Sequence, residues 1–260
     1  MTALEANLRA VQARIAAAAQ RAGLDPAGVT LVAVTKTQPV EVIRAAYDLG
    51  LRHFGENRVE EAEGKIGELP PDITWHMIGH VQSRKAARAA SLFHVVHSVD
   101  SVKLAQRLDR ASAARAGPFA GAQDRPLPIL LEINVSGEAS KDGFPAERWA
   151  EDTAQSAGAL TGQGAALLAA VAEIAALPHL QLQGLMTMAP IVADPEQARP
   201  VFARLRQLRD ELAAAFPHVR WSHLSMGMSD DLEIAVEEGA TLVRIGRAIF
   251  APDLPSWRQG

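Results

Sequence analysis

The sequence predicts an α/β fold, a closed (β/α)8 barrel, on three observations. Eight short strand signals recur along the chain, and each is followed by a helical segment. The most apolar of them, Val29–Thr35 and Pro128–Val135, have the composition of parallel strands covered on both faces. The length of 260 residues fits the roughly 250 typical of one such barrel. An open doubly wound sheet shares the alternation, but a count of eight favours closure.

Residues 3–22 open the chain as a helix with Leu4, Leu8, Val11 and Ile15 in helical register, stopping at Gly23. The first strand, Val29–Thr35, precedes a helix with Pro39 in its first turn that runs to Gly50. A short strand at Arg52–Phe54 leads through Gly55, Glu56 and Asn57 into a charged helix from Val59 to about Leu69. The third strand, Ile73–Ile78, precedes Gly79 and a basic helix beginning near Gln82. The fourth, Val95–Val99, is followed by Asp100 and Ser101, a cap for a helix over 101–116. Pro128–Val135 is the fifth strand, Leu180–Met186 the sixth, Val219–Leu224 the seventh and Thr241–Ile245 the eighth. Residues 117–128, rich in Gly and Pro, and 156–164, rich in Gly, Ala and Gln, read as loop insertions, the second before an Ala/Leu helix at 165–177. Neither has the character of a linker, so residues 1–260 are expected to form a single domain.

Composition narrows the function. A net charge of −4 gives no electrostatic case for nucleic acid or an anionic membrane, so any anion site must be built locally. The absence of cysteine excludes disulfides, thiolate metal sites and cysteine nucleophiles. Met1–Ala6 lacks a basic stretch followed by an apolar one, and no long apolar run occurs, so no signal peptide or membrane span is expected. The expectation is a cytoplasmic protein.

In this fold the chemistry sits after the strands. Lys36 follows the first; burying a charged lysine there is costly, so a lowered pKa and a nucleophilic, Schiff-base-forming amine are expected, against the plain alternative of a lysine reaching out to solvent. Ser225, Met226 and Gly227 follow the seventh strand, and Gly246 and Arg247 the eighth. Loops after these two strands form the usual phosphate site, and here they offer a hydroxyl and backbone amides. Arg244 lies between Val243 and Ile245 and points opposite to them. If that direction is inward, its guanidinium needs an acceptor, either an aromatic nitrogen of a ligand or a carboxylate such as Glu132 on the fifth strand.

A nucleophilic lysine, a phosphate cradle and an arginine at ring height describe a pyridoxal 5′-phosphate (PLP) site. The motifs Val32–Lys36 (VAVTK), Phe54–Asn57 (FGEN), Trp75–Gly79 (WHMIG), Ser225–Asp231 (SMGMSDD) and Val243–Phe250 (VRIGRAIF) occur in that order. Over residues 4–251 the chain resembles the pyridoxal phosphate homeostasis family, PLP-binding barrels related to the N-terminal barrel of bacterial alanine racemase. The resemblance implies PLP bound as a Schiff base on Lys36, with its phosphate held by Ser225, Met226, Gly246 and Arg247. It also implies Arg244 facing the pyridine nitrogen, and Asn57 and His223 lining the pocket, with Asn57 the firmer assignment. A pyridine nitrogen left unprotonated is a weak electron sink, so carbanion chemistry is poorly supported.

The resemblance implies a role in vitamin B6 homeostasis without appreciable catalysis. Implied partners are apo-PLP enzymes or B6 salvage enzymes, and a chain without the second racemase domain is expected to be a monomer. No catalytic residue is assigned: a racemase needs two opposed bases, and Tyr47, the only tyrosine, sits inside a helix. Two alternatives stay open, a single-domain PLP-dependent racemase or related enzyme, and a barrel that uses Lys36 on another phosphorylated metabolite. Gln38, Arg84 and the length around 156–164 depart from the family pattern and put any transfer route along rim lysines in doubt; Lys141 is the remaining candidate, set against a solvated loop charge. His76, His80, His94 and His97 lack the spacing of a chelate, so no metal is assigned.

Overall fold

The computed structural model describes residues 2–113, 125–138, 141–149 and 162–251. Within them eight parallel strands form a barrel: β1 (Thr30–Val34), β2 (His53–Glu56), β3 (Thr74–Met77), β4 (Val95–Val99), β5 (Leu127–Asn134), β7 (Leu180–Met186), β8 (His223–Ser225) and β9 (Leu242–Ile245). A two-residue strand, β6 (Phe144–Pro145), adds to β5 at Ile133 and Asn134. The neighbours run β4-β3-β2-β1-β9-β8-β7-β5, and pairing of β4 with β5 closes the ring. Around it lie α1 (Ala3–Arg21), α2 (Val40–Asp48), α3 (Val59–Ile66), α4 (Ala86–Leu92), α5 (Val102–Ser112), α6 (Gly162–Ala175), α7 (Arg199–Ala215), α8 (Leu232–Glu237) and α9 (Arg247–Phe250). The (β/α)8 expectation is met.

Local sequence explains most boundaries. The Thr2 side chain caps α1 at Glu5 N, and Gly23, at φ +69°, lets the chain leave the helix. Ser101 caps α5 at Leu104 N as expected. The expected helix over 101–116 is described as far as Ser112, and residues from 114 lie outside the described set. Most of the two loop segments, 117–124 and 156–161, also lies outside it. The Ala/Leu helix expected at 165–177 is α6, shifted by about one turn towards the N-terminus.

The seventh strand is displaced. It was expected over Val219–Leu224, but β8 begins only at His223. Residues 216–222 instead form turns, with Val219 N donating to Phe216 O and Ser222 N to Arg220 O. Pairing starts where Gly184 of β7 meets His223, an approach so close that a Cβ on Gly184 would lie 1.9 Å from the His223 carbonyl oxygen.

The strands bury two different faces. Ala33, Phe54, Trp75, Met77, Leu131, Leu224, Val243 and Ile245 face the helices within one large apolar core. Alternate residues face the ring's interior, where Val32, Leu130, Met186 and Leu242 form a small apolar cluster of their own. The same inward positions elsewhere carry His53, His76, His97, Glu132, Ser225 and Arg244. No helix among the described residues is long and apolar enough to cross a membrane.

Candidate functional site at the barrel mouth

The sequence-predicted residues converge on one arc. β2, β1, β9 and β8 are consecutive neighbours in the ring, and Asn57, Lys36, Gly246 and Ser225 lie at or just beyond their C-terminal ends. Gly246 sits against β1: a Cβ there would lie 3.2 Å from the Val34 carbonyl oxygen, two residues before Lys36. The turn after β8 requires glycine, because Gly227 has φ +92° and a Cβ would come within 2.5 Å of Ala235 Cβ. Ser229 Oγ accepts from Ala248 N, which ties this turn to the start of α9.

Lys36 corrects the expectation of a buried amine. Its side chain is exposed, since β1 ends at Val34 and residues 36–37 form a turn in which Thr37 has φ +64°. The turn itself is held from below. Lys65 of α3, largely buried, donates to the Thr35 carbonyl (2.9 Å), to Glu56 Oε1 (2.9 Å) and to Glu61 Oε1 (3.1 Å), while Glu61 also accepts from Thr37 N. The backbone on both sides of Lys36 is therefore fixed while its side chain is free. Glu56 Oε2 has no partner among the described residues, and burial raises the Glu56 pKa despite Lys65 and Thr35. Neither Lys65 nor this network was foreseen; a glutamate at a strand end nine residues before a lysine is too common a pattern.

Arg244 points into the barrel as expected, 5% exposed. Its acceptors differ from those expected: Nη1 donates to Ser225 Oγ at 2.6 Å and Nη2 to the Thr187 carbonyl at 2.9 Å. Glu132 makes no ion pair with it within 4.0 Å among the described residues, yet each carries the mark of the other. Burial lowers the Arg244 pKa to about 10, opposed by Glu132 and Asp231. Burial, with Asp100 and Asp142, raises Glu132 to about 7, opposed by Arg244. A guanidinium has five donors, so both hydrogen bonds leave Arg244 able to donate into the mouth.

Ser225 is fully buried and also lies 2.8 Å from His97 Nδ1. Met226 does not match its expected part: its amide donates to Leu242 O at 3.1 Å, and its side chain belongs to the core. Strand pairing with β9 thus uses the donor assigned to the phosphate. Arg247 is exposed and paired with Asp230. Asn57 is half-buried, and its Oδ1 is buried without a partner among the described residues. It lines a cavity of about 320 Å³ with Gly79, His80 and Lys85. His223 stands apart, at the start of β8 with Nδ1 3.3 Å from Thr241 Oγ1, two residues below the mouth. Lys141 is not a solvated charge, being bonded to the Met188 carbonyl at 2.8 Å with its side chain 15% exposed. Tyr47 bonds Asp72 on the outside of α2, with Arg52 stacked over its ring.

The polar groups at the mouth, an exposed primary amine, a buried hydroxyl, a guanidinium and an accepting amide oxygen without a partner among the described residues, fit a ligand with a carbonyl, a phosphate and a ring nitrogen. Comparison with known proteins agrees. The model of the alanine racemase N-terminal domain family matches residues 6–165 and 157–253. The pyridoxal phosphate homeostasis protein of Pseudomonas aeruginosa is 43% identical over 252 residues, 96% of each chain. That of Escherichia coli K12 is 38% identical over 253 residues, 94% of each. PipY of Synechococcus elongatus, solved with PLP bound, superposes with a TM-score of 0.70 at 36% identity over 93% of this chain and all of that one. Alanine racemase of Clostridium difficile, at 12% identity and a TM-score of 0.67, shares the fold over 95% of this chain and 58% of its own. The chain belongs to the pyridoxal phosphate homeostasis protein family, built on the alanine racemase N-terminal-domain fold.

Proposed function

We propose that this protein binds PLP at the barrel mouth and acts in intracellular PLP homeostasis without appreciable turnover of its own. The observation that carries the reading is the arc of four neighbouring strands that puts the Lys36 amine, the Ser225 hydroxyl and the Arg244 guanidinium at one end of the ring. The PLP-bound relative at 36% identity supports the ligand. PLP would supply an aldehyde able to condense with an amine, a dianionic phosphate and a pyridine ring. Lys36 provides the amine from a turn clamped on both sides. Ser225 and the turns at Gly227 and Gly246 provide the phosphate seat, and Arg247 adds charge at its rim. Arg244 keeps a proton at the ring-nitrogen position and holds it tightly, because its pKa stays near 10 even when buried. A donor that does not surrender its proton leaves the ring a weak electron sink, which suits storage better than turnover.

Tyr47, outside the ring, cannot act as a second base. Glu132, with a pKa of about 7 inside the barrel, favours the alternative of a PLP-dependent racemase or related enzyme. Residues 1–260 are read as a single PLP-binding domain, monomeric and cytoplasmic, that hands its cargo to apo-PLP enzymes or exchanges it with B6 salvage enzymes.

The deciding measurement is the absorption spectrum of purified protein with added PLP, before and after borohydride, followed by peptide mapping. A visible band that collapses on reduction, with a pyridoxyl group on Lys36, is the expected result. A protein that stays colourless overturns the reading. Alpha-proton exchange on any amino acid of a broad panel would establish the enzyme alternative.

A further inference from the structure

Three histidines on three consecutive strands form a row through the barrel interior that the site as described does not use. His53 Nδ1 lies 3.0 Å from His76 Nε2, and His76 Nδ1 lies 2.8 Å from His97 Nε2. His97 Nδ1 lies 2.8 Å from Ser225 Oγ, which also receives Arg244 Nη1 at 2.6 Å. His76 and His97 are buried, while His53 is half-buried and opens on a cavity of about 400 Å³ at the opposite end of the ring, beside Gln12, Thr30 and Arg52. A continuous string of hydrogen bonds therefore runs from that cavity to the mouth.

Such a string has few arrangements. A neutral imidazole has one N–H and one lone pair, so each contact between ring nitrogens must hold a single proton. With all three rings neutral, the row points one of two ways. In the first, Ser225 O–H donates to His97, every ring carries its proton on Nε2, and His53 donates into the cavity. In the second, every ring carries its proton on Nδ1 and His97 donates to Ser225. The serine already accepts from Arg244, so its own hydrogen must then point into the mouth. Passing from the first to the second releases one proton at His53 Nε2 and takes one up at Ser225 Oγ, so no charge is left in the row.

We propose that His53, His76 and His97 are positioning residues that aim the Ser225 hydroxyl, and that an anion at the mouth selects the arrangement in which Ser225 donates to it. The inference rests on reading Ser225 as an anion donor. Its corollary is that a proton added at His53 locks the same arrangement, because His53 Nδ1–H then faces His76 Nε2 and cannot accept. Anion affinity should therefore rise as His53 is protonated. Burial holds His76 and His97 well below the usual imidazole range and lowers His53, in keeping with a neutral row. The charged and titratable groups facing the row are His94 and His223 beside His76, Arg244 and His223 beside His97, and Arg52 at the cavity. Glu132 and Asp231 act on Arg244, and Glu132 titrates near 7, so pH effects are read against a variant that keeps both.

The test is side-chain nitrogen NMR of the full chain with inorganic sulfate, whose charge is constant near neutrality, and then with PLP. Both ligands are expected to place His76 and His97 in the Nδ1–H tautomer. In the wild type, sulfate affinity should rise about fivefold or more as pH falls through the His53 titration, the low end of couplings between distinct sites. His53→Gln should lose that rise. His76→Phe, which interrupts the row with a ring of similar size, should uncouple His97 from the ligand; if it does not fold, His53→Gln carries the test. Tautomers that ignore sulfate while Ser225→Ala still abolishes its binding would overturn the row and leave the anion site standing. Sulfate bound equally well by Ser225→Ala would overturn both.

Discussion

The two faces of the barrel strands are put to opposite uses. Outward positions, such as Phe54, Trp75, Leu131 and Ile245, are apolar and fully or almost fully buried against helices. Inward positions on the same strands carry His53, His76, Glu132 and Arg244. The apolar shell supplies the burial that holds the fold together, at about 25 cal/mol per Å². The interior, among the described residues, holds a four-residue apolar cluster beside hydrogen-bonded polar groups such as His76, His97, Ser225 and Arg244. Function can therefore change inside the ring with little cost outside it.

The comparison breaks first if the shell is not the source of stability. Trp75, 1% exposed and packed against Phe54, faces the helices although its neighbour His76 faces inward. Trp75→Ala should cost about 3–5 kcal/mol in chemical denaturation, as large core truncations do, while the protein that remains folded binds PLP normally. A loss near 1 kcal/mol would place the stability elsewhere.

A second test concerns the interior charge. Glu132 has a folded pKa of about 7 against an ordinary value of 4.5, so the folded state holds a proton that the unfolded state has released between those pH values. The Glu132 contribution to stability is therefore fully present below pH 4.5 and is lost as pH rises through about 7. Glu132→Gln should remove this slope and be the more stable protein above that range, by up to about 3 kcal/mol at about 1.4 kcal/mol per pKa unit. Reading the difference between variant and wild type cancels the histidines. An unchanged pH profile would mean that the carboxyl is not held in the interior.

Ser225→Ala tests whether polar interior groups serve binding more than folding. It leaves His97 and Arg244 facing a methyl group, so a stability loss of about 1–3 kcal/mol is expected from unmet hydrogen bonds. PLP affinity, measured by equilibrium titration, should fall by tenfold or more, the equivalent of about 1.4 kcal/mol or above for a charge-assisted bond. Equal affinity would remove Ser225 from the phosphate seat.

How much of this was legible follows the same division. The shell writes itself into the sequence as apolar runs, so β5 and β7 fall close to where they are expected. β8 does not, because its start is set by the contact of Gly184 with His223, a pairing that no local pattern contains. Arg244 was readable as pointing opposite to its two apolar neighbours, with the inward direction left open, and its acceptors, Ser225 and the Thr187 carbonyl, come from two other strand ends. Met226 failed because strand pairing uses its amide. The histidine row was visible only as three scattered residues: Gly55 pairs with His76 and His76 with Val95, and that register, which aligns the rings, is a property of the closed sheet.

The smallest stability effect belongs to the residue with the largest functional one. Lys36 is exposed, and the turn around it is held by the Thr35 carbonyl and the Thr37 amide, neither of which involves its side chain. Lys36→Ala should therefore fold with a stability within about 0.5 kcal/mol of wild type, as exposed substitutions do. It should also lose the visible band and the borohydride-fixed adduct while keeping weaker binding through the phosphate seat, detectable as displacement of PLP by inorganic phosphate. Failure of the variant to fold would show that the lysine supports the turn, contradicting the division between a structural shell and a functional mouth. Retention of the band would move the amine to another lysine, and Lys65, which donates to the Thr35 carbonyl directly beneath this turn, would be the first to map.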